Sequence, residues 1–512
     1  MASFLLEMIP GTLLYPSWVH LYILFLAVLC SLSLLTNKKR AKNLPPSPPG
    51  LPILGNLHQL GKLPHRSLWK LSQKYGHVML LKFGSIPALV VSSPETAKEV
   101  LKTHDLDCCS RPLSKGSNKL SYNLIDISFS PYDSYWREIR KITILEVFSV
   151  KRVHHFQFVR DQEVATLIQK LNKVTKNKSP VNINQNIFDV MNNTICKIAF
   201  GKSYEGKQFQ NYFEKQMDEA MAMLNSFWIS DFFPLFGNIL DKVSGMHNRL
   251  EKCFLDFDAF FERVIDEHVD HPTRPKPERD DIIDILLELS RDKSAPVRLT
   301  KDHIKAISFN MLVGATDTSS LTMIWAMSEL ARNPRVMKKV QAEIRSKVGK
   351  KPMVEVREIE SLKYLNMVVK ETFRLHPPAT LLLPRETMRH CTIGGYDIAA
   401  KTRVLVNVWA IGRDPATWEN PQEFYPERFE DSDINWKGNH YELLPFGAGR
   451  RICPGLAMGA MSVEFILANL LHGFDWELPN GTTIEDISMD EEAGLTVHKK
   501  LPLMLVPIEH KW

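Results

Sequence analysis

With 512 residues, 44% of them hydrophobic, the chain is long enough to bury a large core and a large ligand inside it. Its 64 Lys and Arg against 58 Asp and Glu leave a net charge of +6, too mild for a nucleic-acid binder, and no dense basic tract is interleaved with aromatics. Seven scattered cysteines, Cys30, Cys108, Cys109, Cys196, Cys253, Cys391 and Cys453, show no zinc spacing and argue against a disulfide framework, so the bulk of the chain should face a reducing compartment.

An apolar run from Trp18 to Leu35 is near the lower limit for crossing a bilayer. Tyr15, Trp18 and Tyr22 suit one interface, and Lys38, Lys39, Arg40 and Lys42 follow at once, which sets the C-terminal side in the cytosol. A cleaved signal peptide is the alternative, but the charges follow the run and no small-residue cleavage site stands out. The reading is an uncleaved transmembrane anchor over 1–36, a basic and proline-rich hinge over 37–50 containing Pro45-Pro46-Ser47-Pro48-Pro49, and a catalytic domain over 51–512. The sequons at Asn177, Asn192 and Asn480 then never meet the glycosylation machinery.

Val78–Lys82, a turn at 84–87 and Ala88–Val91 predict a β-hairpin. Ser93 and Pro94 open a helix running to Thr103. Residues Lys115–Ser130 lack periodicity and read as a loop, and Trp136 and Arg140 lie one helical turn apart. Helices are expected over Arg160–Val174, Ile187–Phe200, Phe213–Leu224 and Gly245–Val269, with an aromatic-rich loop from Phe227 to Leu240 and a polar loop over His271–Pro277. Lys301–Arg332 predicts one helix of roughly 48 Å, apolar on nearly all faces and therefore buried. Cys391–Ile398 reads as a hairpin and Thr402–Val406 as a strand. The expected class is mainly α with small β-sheets.

The polar run Thr316–Ser320 is costly inside a buried helix unless the hydroxyls bond back to carbonyls one turn earlier. Two readings stay open: a locally solvated kink, or an oxygen pocket in which small residues leave space and Thr318 offers a hydroxyl. Glu371 and Arg374 share one helix face, which by itself is an ordinary surface pair. Near the C-terminus, Gly447 and Gly449 form a tight loop before Cys453, with Pro454 at the first position of an apolar helix from Leu456 to Leu471. Cys453 at a helix N-terminus, beside Arg450 and Arg451, should favour its thiolate, the proximal ligand a haem iron takes. A buried structural cysteine is the plain alternative.

The full pattern Phe446, Gly449, Arg451, Cys453 and Gly455 resembles the haem-binding loop of cytochrome P450 enzymes. Gly314-Ala315-Thr316-Asp317-Thr318-Ser319, Glu371-Thr372-Phe373-Arg374 and Pro426-Glu427-Arg428-Phe429 occur in the matching order, and Pro-Pro-Ser-Pro-Pro-Gly and Leu-His-Pro-Pro are similar to plant microsomal members of the specialised-metabolism clan. One departure is visible: the usual Gly is Ala315, and the small residue before it is Gly314.

The resemblance implies the P450 fold, haem b held by Cys453, and propionate contacts from Trp136, Arg140, Arg385 and Arg451. It implies a structural charge cluster of Glu371, Arg374 and Arg428, and oxygen activation by Asp317 and Thr318. Phe309, Val313, Gly314, Ala379, Leu382 and Leu495 should face an apolar substrate. Arg137 and Lys141 would add to a basic face for the electron donor. The implied activity is NADPH- and O2-dependent hydroxylation of a terpenoid or aromatic small molecule, an alkaloid precursor or an aldoxime. NADPH–cytochrome P450 reductase, and in some members cytochrome b5, would be partners at the endoplasmic reticulum membrane. Alternatives are a P450-type isomerase or dehydratase without a reductase, and a non-catalytic haem protein.

Overall fold

The predicted 32-residue helix forms as a single element, Lys301–Arg332, and passes through the middle of the domain. Thr300 and His303 close a reciprocal cap at its start, and Asn333 ends it before Pro334 begins the next helix. Residues from Ile304 to Leu330 are buried on almost every side, against the helices Ile183–Phe200 and Leu456–Gly473. Its hydroxyls bond back as expected: Thr318 Oγ1 donates to Gly314 O (2.7 Å), Ser320 to Thr316 O (2.7 Å) and Thr322 to Thr318 O (3.0 Å). The computed structural model describes residues 43–203, 207–270, 281–292, 294 and 296–512, without the side chains of 207–212. The apolar run Trp18–Leu35, the basic cluster at Lys38–Lys42 and the loop His271–Pro277 lie outside the described residues.

The hairpin forms with strands Val78–Phe83 and Ile86–Val91, Leu80 facing Leu89. Arg403–Val406 joins it in parallel, and Arg385–Glu386 pairs with that strand antiparallel, Arg385 opposite Val404. This four-stranded sheet therefore delivers Arg385 to a fixed place. The first strand's outer edge is covered by the proline segment: Leu80 N–H donates to Pro46 O (3.0 Å) and Asn56 Nδ2 to Pro48 O (3.0 Å), with Pro45 and Pro48 buried. The part of the hinge that is described is thus docked on the domain. The Cys391–Ile398 hairpin forms around Gly394 and Gly395, both at positive φ. Phe474–Glu477, Met504–Glu509 and Val181–Asn182 make a three-stranded sheet, and Glu491–Glu492 pairs with His498–Lys499.

Three expectations change. The stretch Lys115–Ser130 is not all loop: Lys115–Leu120 is a short helix, followed by positive φ at Tyr122, Asn123 and Leu124. Too short to show periodicity, it is held from outside by Lys119–Glu251 and by a close fit of Gly116, where a Cβ would meet Met223 O at 2.3 Å. Phe227–Leu240 contains the helix Ile229–Phe232 and the start of Gly237–Val243, tied by Asp241 accepting from Ile229 N and Ser230 N. Pro454 is not the first helical residue; the last helix begins at Leu456, with Pro454 and Gly455 in the turn before it. Asn192 is buried, which agrees with an unmodified sequon.

Candidate active site

Cys453 is set by a loop that its own glycines permit. Gly447 and Gly449 take φ of 68° and 71°, in the left-handed region that favours glycine. At Gly449 a Cβ would also meet Leu101 O at 2.2 Å and Asp105 Oδ1 at 2.8 Å. Cys453 N–H donates to Phe446 O (3.0 Å), closing the loop under the sulfur. Burial pushes the thiol up, while the Gly455 N–H and the charge of Arg140 pull against it. The expected help from Arg450 and Arg451 is not there. Arg450 turns to Asp105 (3.1 Å), and Arg451 donates to Cys109 O (2.8 Å) and Ser130 O (2.6 Å).

Above the sulfur lies a large cavity lined by Cys453, Phe446, Gly447 and Gly455 on one side and by Gly314, Ala315, Thr318 and Ser319 of the long helix on the other. Gly314 is exposed in the middle of an otherwise buried helix, and a Cβ placed on it would meet nothing within 4 Å. The small residues therefore open space over the cysteine loop, and Ala315 keeps that space with one methyl more. Phe309, Val313, Ala379, Leu382 and Leu495 all line the same cavity. So do Ile127, Ser128 and Phe129, from the stretch that follows the short helix Lys115–Leu120, and Met221 and Leu224.

At one end four guanidinium groups, Arg111, Arg140, Arg385 and Arg451, line the cavity. Arg385 donates to Asp105 Oδ1 (2.7 Å) and Ala448 O (2.8 Å), and Arg140 donates to Ile452 O. Burial and mutual repulsion lower Arg140 to about 10 and Arg451 to about 9, and hold Arg111 well below its usual range. Arg451 Nη1 is buried with no partner among the described residues. Such a cluster fits a ligand bearing carboxylates at one edge. A flat tetrapyrrole with two propionates, set between a thiol and a bare helix face, meets each of these demands.

Trp136 packs against two of these arginines. Its Nε1–H donates to Ile127 O (2.9 Å), and its ring carries Arg451 at 3.9 Å and Arg140 at 5.3 Å, a cation–π support. Arg111 was missed. Its guanidinium reaches Ser128 O, 17 residues on, and Leu383 O and Pro384 O across more than 270 residues of chain, and nothing local in the sequence marks it.

Glu371, Arg374 and Arg428 come together away from solvent. Glu371 takes Arg374 through both oxygens (2.7 and 2.8 Å), Arg428 Nε at 3.0 Å and Tyr425 N–H at 2.8 Å. The remaining donors of Arg374 hold Gly412 O, Pro421 O and Glu423 O. Glu371 and Arg374 side chains are fully buried, so this is no surface pair; it pins the irregular chain that leads into the cysteine loop. Asp317 is buried and does not line the cavity. Its oxygens accept from Thr496 Oγ1 (2.5 Å) and lie 3.2 Å from His498 Nε2.

A cavity with a cysteine loop on one side and an arginine cluster at one end fits a haem held through a thiolate. The model of the cytochrome P450 family matches residues 45–506. The 2-methylbutanal oxime monooxygenase of Manihot esculenta is 47% identical, over 98% of this chain and 99% of that protein. The 4-hydroxyphenylacetaldehyde oxime monooxygenase of Sorghum bicolor is 50% identical, over 96% and 95%. A solved zebra fish cytochrome P450 with abiraterone superposes with a TM-score of 0.73 at 24% identity, covering 88% of this chain and all of that one, a likeness in fold. This chain belongs to the cytochrome P450 family. It is a haem-dependent monooxygenase that takes electrons from a redox partner and acts with O2 on a small molecule.

Proposed function

We propose that this P450 oxidises a small, largely apolar molecule of plant specialised metabolism, with amino-acid-derived aldoximes the first class to test. The cavity carries the reading: an apolar wall of Phe309, Val313, Ala379, Leu382 and Leu495, with a few hydroxyl and amide groups from Ser128, Asn310, Thr318 and Thr496. That mix suits a compact aliphatic or aromatic body with one polar head. The two oxime monooxygenases support this ranking over terpenoids and alkaloid precursors.

Haem bound through Cys453 supplies the centre at which O2 is reduced and one oxygen atom is passed to substrate, the other leaving as water. Arg140, Arg385 and Arg451 hold its carboxylate edge, with Trp136 backing two of them. Gly314 and Ala315 would leave room for oxygen and substrate on the cavity side of the haem, and Thr318 would offer a hydroxyl to them. The apolar wall orients substrate and keeps bulk water out.

We assign the electron supply to NADPH–cytochrome P450 reductase, with cytochrome b5 as a second donor, and the location to the cytosolic face of the endoplasmic reticulum through a single anchor over 1–36. An exposed apolar face supports a membrane-seated domain. Leu235, Val243 and Ile239 are 95%, 80% and 66% exposed, and Leu51, Ile53 and Leu54 lie close by, because Gly84 N–H donates to Leu54 O and Ser85 N–H to Phe232 O. The one described helix apolar enough to span a bilayer, Leu456–Gly473, is mostly buried in the domain and does not bear on anchoring. Incubating reconstituted enzyme and reductase with 2-methylbutanal oxime and 4-hydroxyphenylacetaldehyde oxime, with products identified by mass spectrometry, tests the substrate class. NADPH-dependent consumption of either oxime is expected. Turnover of terpenoids alone would reverse the ranking, and turnover without NADPH would favour the isomerase alternative.

A further inference from the structure

We propose that Thr496 and His498 join Asp317 in a proton relay from solvent to the cavity, with Thr496 as the hydroxyl at the cavity end and His498 as the acid at the solvent end. The proposal rests on the monooxygenase reading. Asp317 does not reach the cavity itself. Thr496 does line it, and its Oγ1 donates to Asp317 Oδ2 at 2.5 Å. His498 Nε2 lies 3.2 Å from Asp317 Oδ1 and 3.3 Å from Thr496 Oγ1, and 37% of its side chain is open to solvent. Four atoms thus span the wall between water and the cavity, each within or near hydrogen-bonding reach of the next.

The backbone fixes this spacing. Val497 N–H donates to Pro378 O (2.9 Å), and its carbonyl accepts from Trp325 Nε1 (3.2 Å), so the residues on either side of Val497 cannot slide along the long helix. The groups electrostatically coupled to His498 are Asp317 on the long helix, Asp218 on the helix Lys207–Asn225, and Glu492 on the paired strand. Burial alone would lower the imidazole, but these three carboxylates outweigh it and raise its proton affinity. Asp218 and Glu492 are exposed and form an acidic mouth that draws protons toward His498.

The transfer balances without any redox step. The His498 imidazolium gives its Nε2 proton to the Asp317 carboxylate, and solvent reprotonates the neutral imidazole. The proton lands on Oδ1, the oxygen facing His498, and a half-turn of the carboxyl group about Cβ–Cγ carries that O–H round to donate to Thr496 Oγ1, reversing the resting hydrogen bond. Thr496 then passes its own hydroxyl proton to an acceptor in the cavity and keeps the one from Asp317. One proton enters per cycle, and reduction of O2 with release of one water consumes two. Thr318, whose hydroxyl is engaged by Gly314 O at rest, shares the delivery at the cavity end.

Two measurements on the haem-loaded full chain test the relay. Histidine C2 hydrogen–deuterium exchange, read by mass spectrometry without turnover, gives the titration midpoint of His498. The midpoint should lie above the ordinary value of 6.5 and fall in Asp317→Asn; a midpoint at or below that value, or one unmoved by the substitution, overturns the relay. With reductase and NADPH but no added substrate, Thr496→Val should slow water formation by about tenfold and raise peroxide released per NADPH, whereas Thr496→Ser should behave as wild type. Equal peroxide yields in wild type and Thr496→Val overturn the hydroxyl's part. The carbon monoxide band of the reduced protein separates the two levels. Its absence in wild type would remove the monooxygenase reading, while an intact band with unmoved peroxide and His498 midpoint removes the relay alone.

Discussion

The two walls of the cavity are built by different physics. The wall that carries Cys453 is a hydrogen-bonded casting: Gly447 and Gly449 in left-handed conformations, Cys453 N–H on Phe446 O, Arg450 on Asp105, Arg451 on two carbonyls, and Glu371 gripping two arginines behind it. The facing wall is a surface of side chains from several distant segments, in which the bare Gly314, Ala315 and Thr318 are flanked by Phe309, Val313, Ala379, Leu382 and Leu495. On the first wall every position has a directional partner, so few residue types serve. On the second, shape and apolarity are the main requirement, and many combinations satisfy them. In the proposed function the first wall sets what reaction is done, and the second sets on what.

Substitutions on each wall should therefore fail differently. Glu371→Ala leaves two buried guanidinium groups without their carboxylate, a loss of about 3–5 kcal/mol by comparison with other buried pairs. It should yield little or no folded haem protein, seen as loss of soluble pigment and of a cooperative melt. Normal haem content in that variant would show that the cysteine wall does not depend on its charge cluster. Gly314→Val fills open space with no backbone clash. It should leave the thiolate spectrum unchanged yet cut kcat/KM for the preferred substrate by about tenfold, and more for bulkier ones. Equal losses for small and large substrates would mean that the groove above Gly314 does not sort by size.

Thr318→Ala removes a side chain that lines the cavity and whose hydroxyl donates to Gly314 O at rest. The variant should consume NADPH at a similar rate but release several-fold more peroxide, in line with the contribution of a positioned proton donor. Tight coupling in this variant would take Thr318 out of oxygen activation. The smallest effect concerns acid. Burial raises Glu427 and Glu491, but Arg335 and Lys339 for the first, and His65 and Arg66 for the second, bring both down to about 2. A carboxylate depressed in the folded state contributes stability that is present above its unfolded value of 4.5 and is lost as pH falls toward 2. The melting temperature should thus decline with acid across that window, and Glu427→Gln should flatten part of the slope; an identical slope in the variant would place the acid sensitivity elsewhere.

The same contrast explains what the sequence made legible. Cys453, its glycines, the Thr316–Ser320 run and the Glu371–Arg374 spacing could be read because each is a local pattern with a directional reason. The helix Lys301–Arg332 and the hairpin at Val78–Val91 were equally plain, because their periodicity is long enough to count. Lys115–Leu120 was lost as a helix because tertiary contacts hold its turn and a half. Arg111 was invisible as a site residue, since its partners Leu383 and Pro384 lie far away in the chain, and nothing in the sequence tied Thr496 to Asp317. The cationic help expected at the cysteine from its sequence neighbours Arg450 and Arg451 is absent, since other acceptors claim both; the charge that bears on the sulfur is that of Arg140, more than 300 residues away in the chain. Adjacency along the chain did not translate into adjacency in space.

The whole account turns on sulfur as the axial ligand, and the carbon monoxide difference spectrum of the reduced protein reads that directly. Wild type should show the red-shifted band of a thiolate-ligated haem, and Cys453→Ser should abolish it even if some pigment stays bound. An unchanged band in Cys453→Ser, or a wild-type band at the position given by a nitrogen ligand, would contradict it.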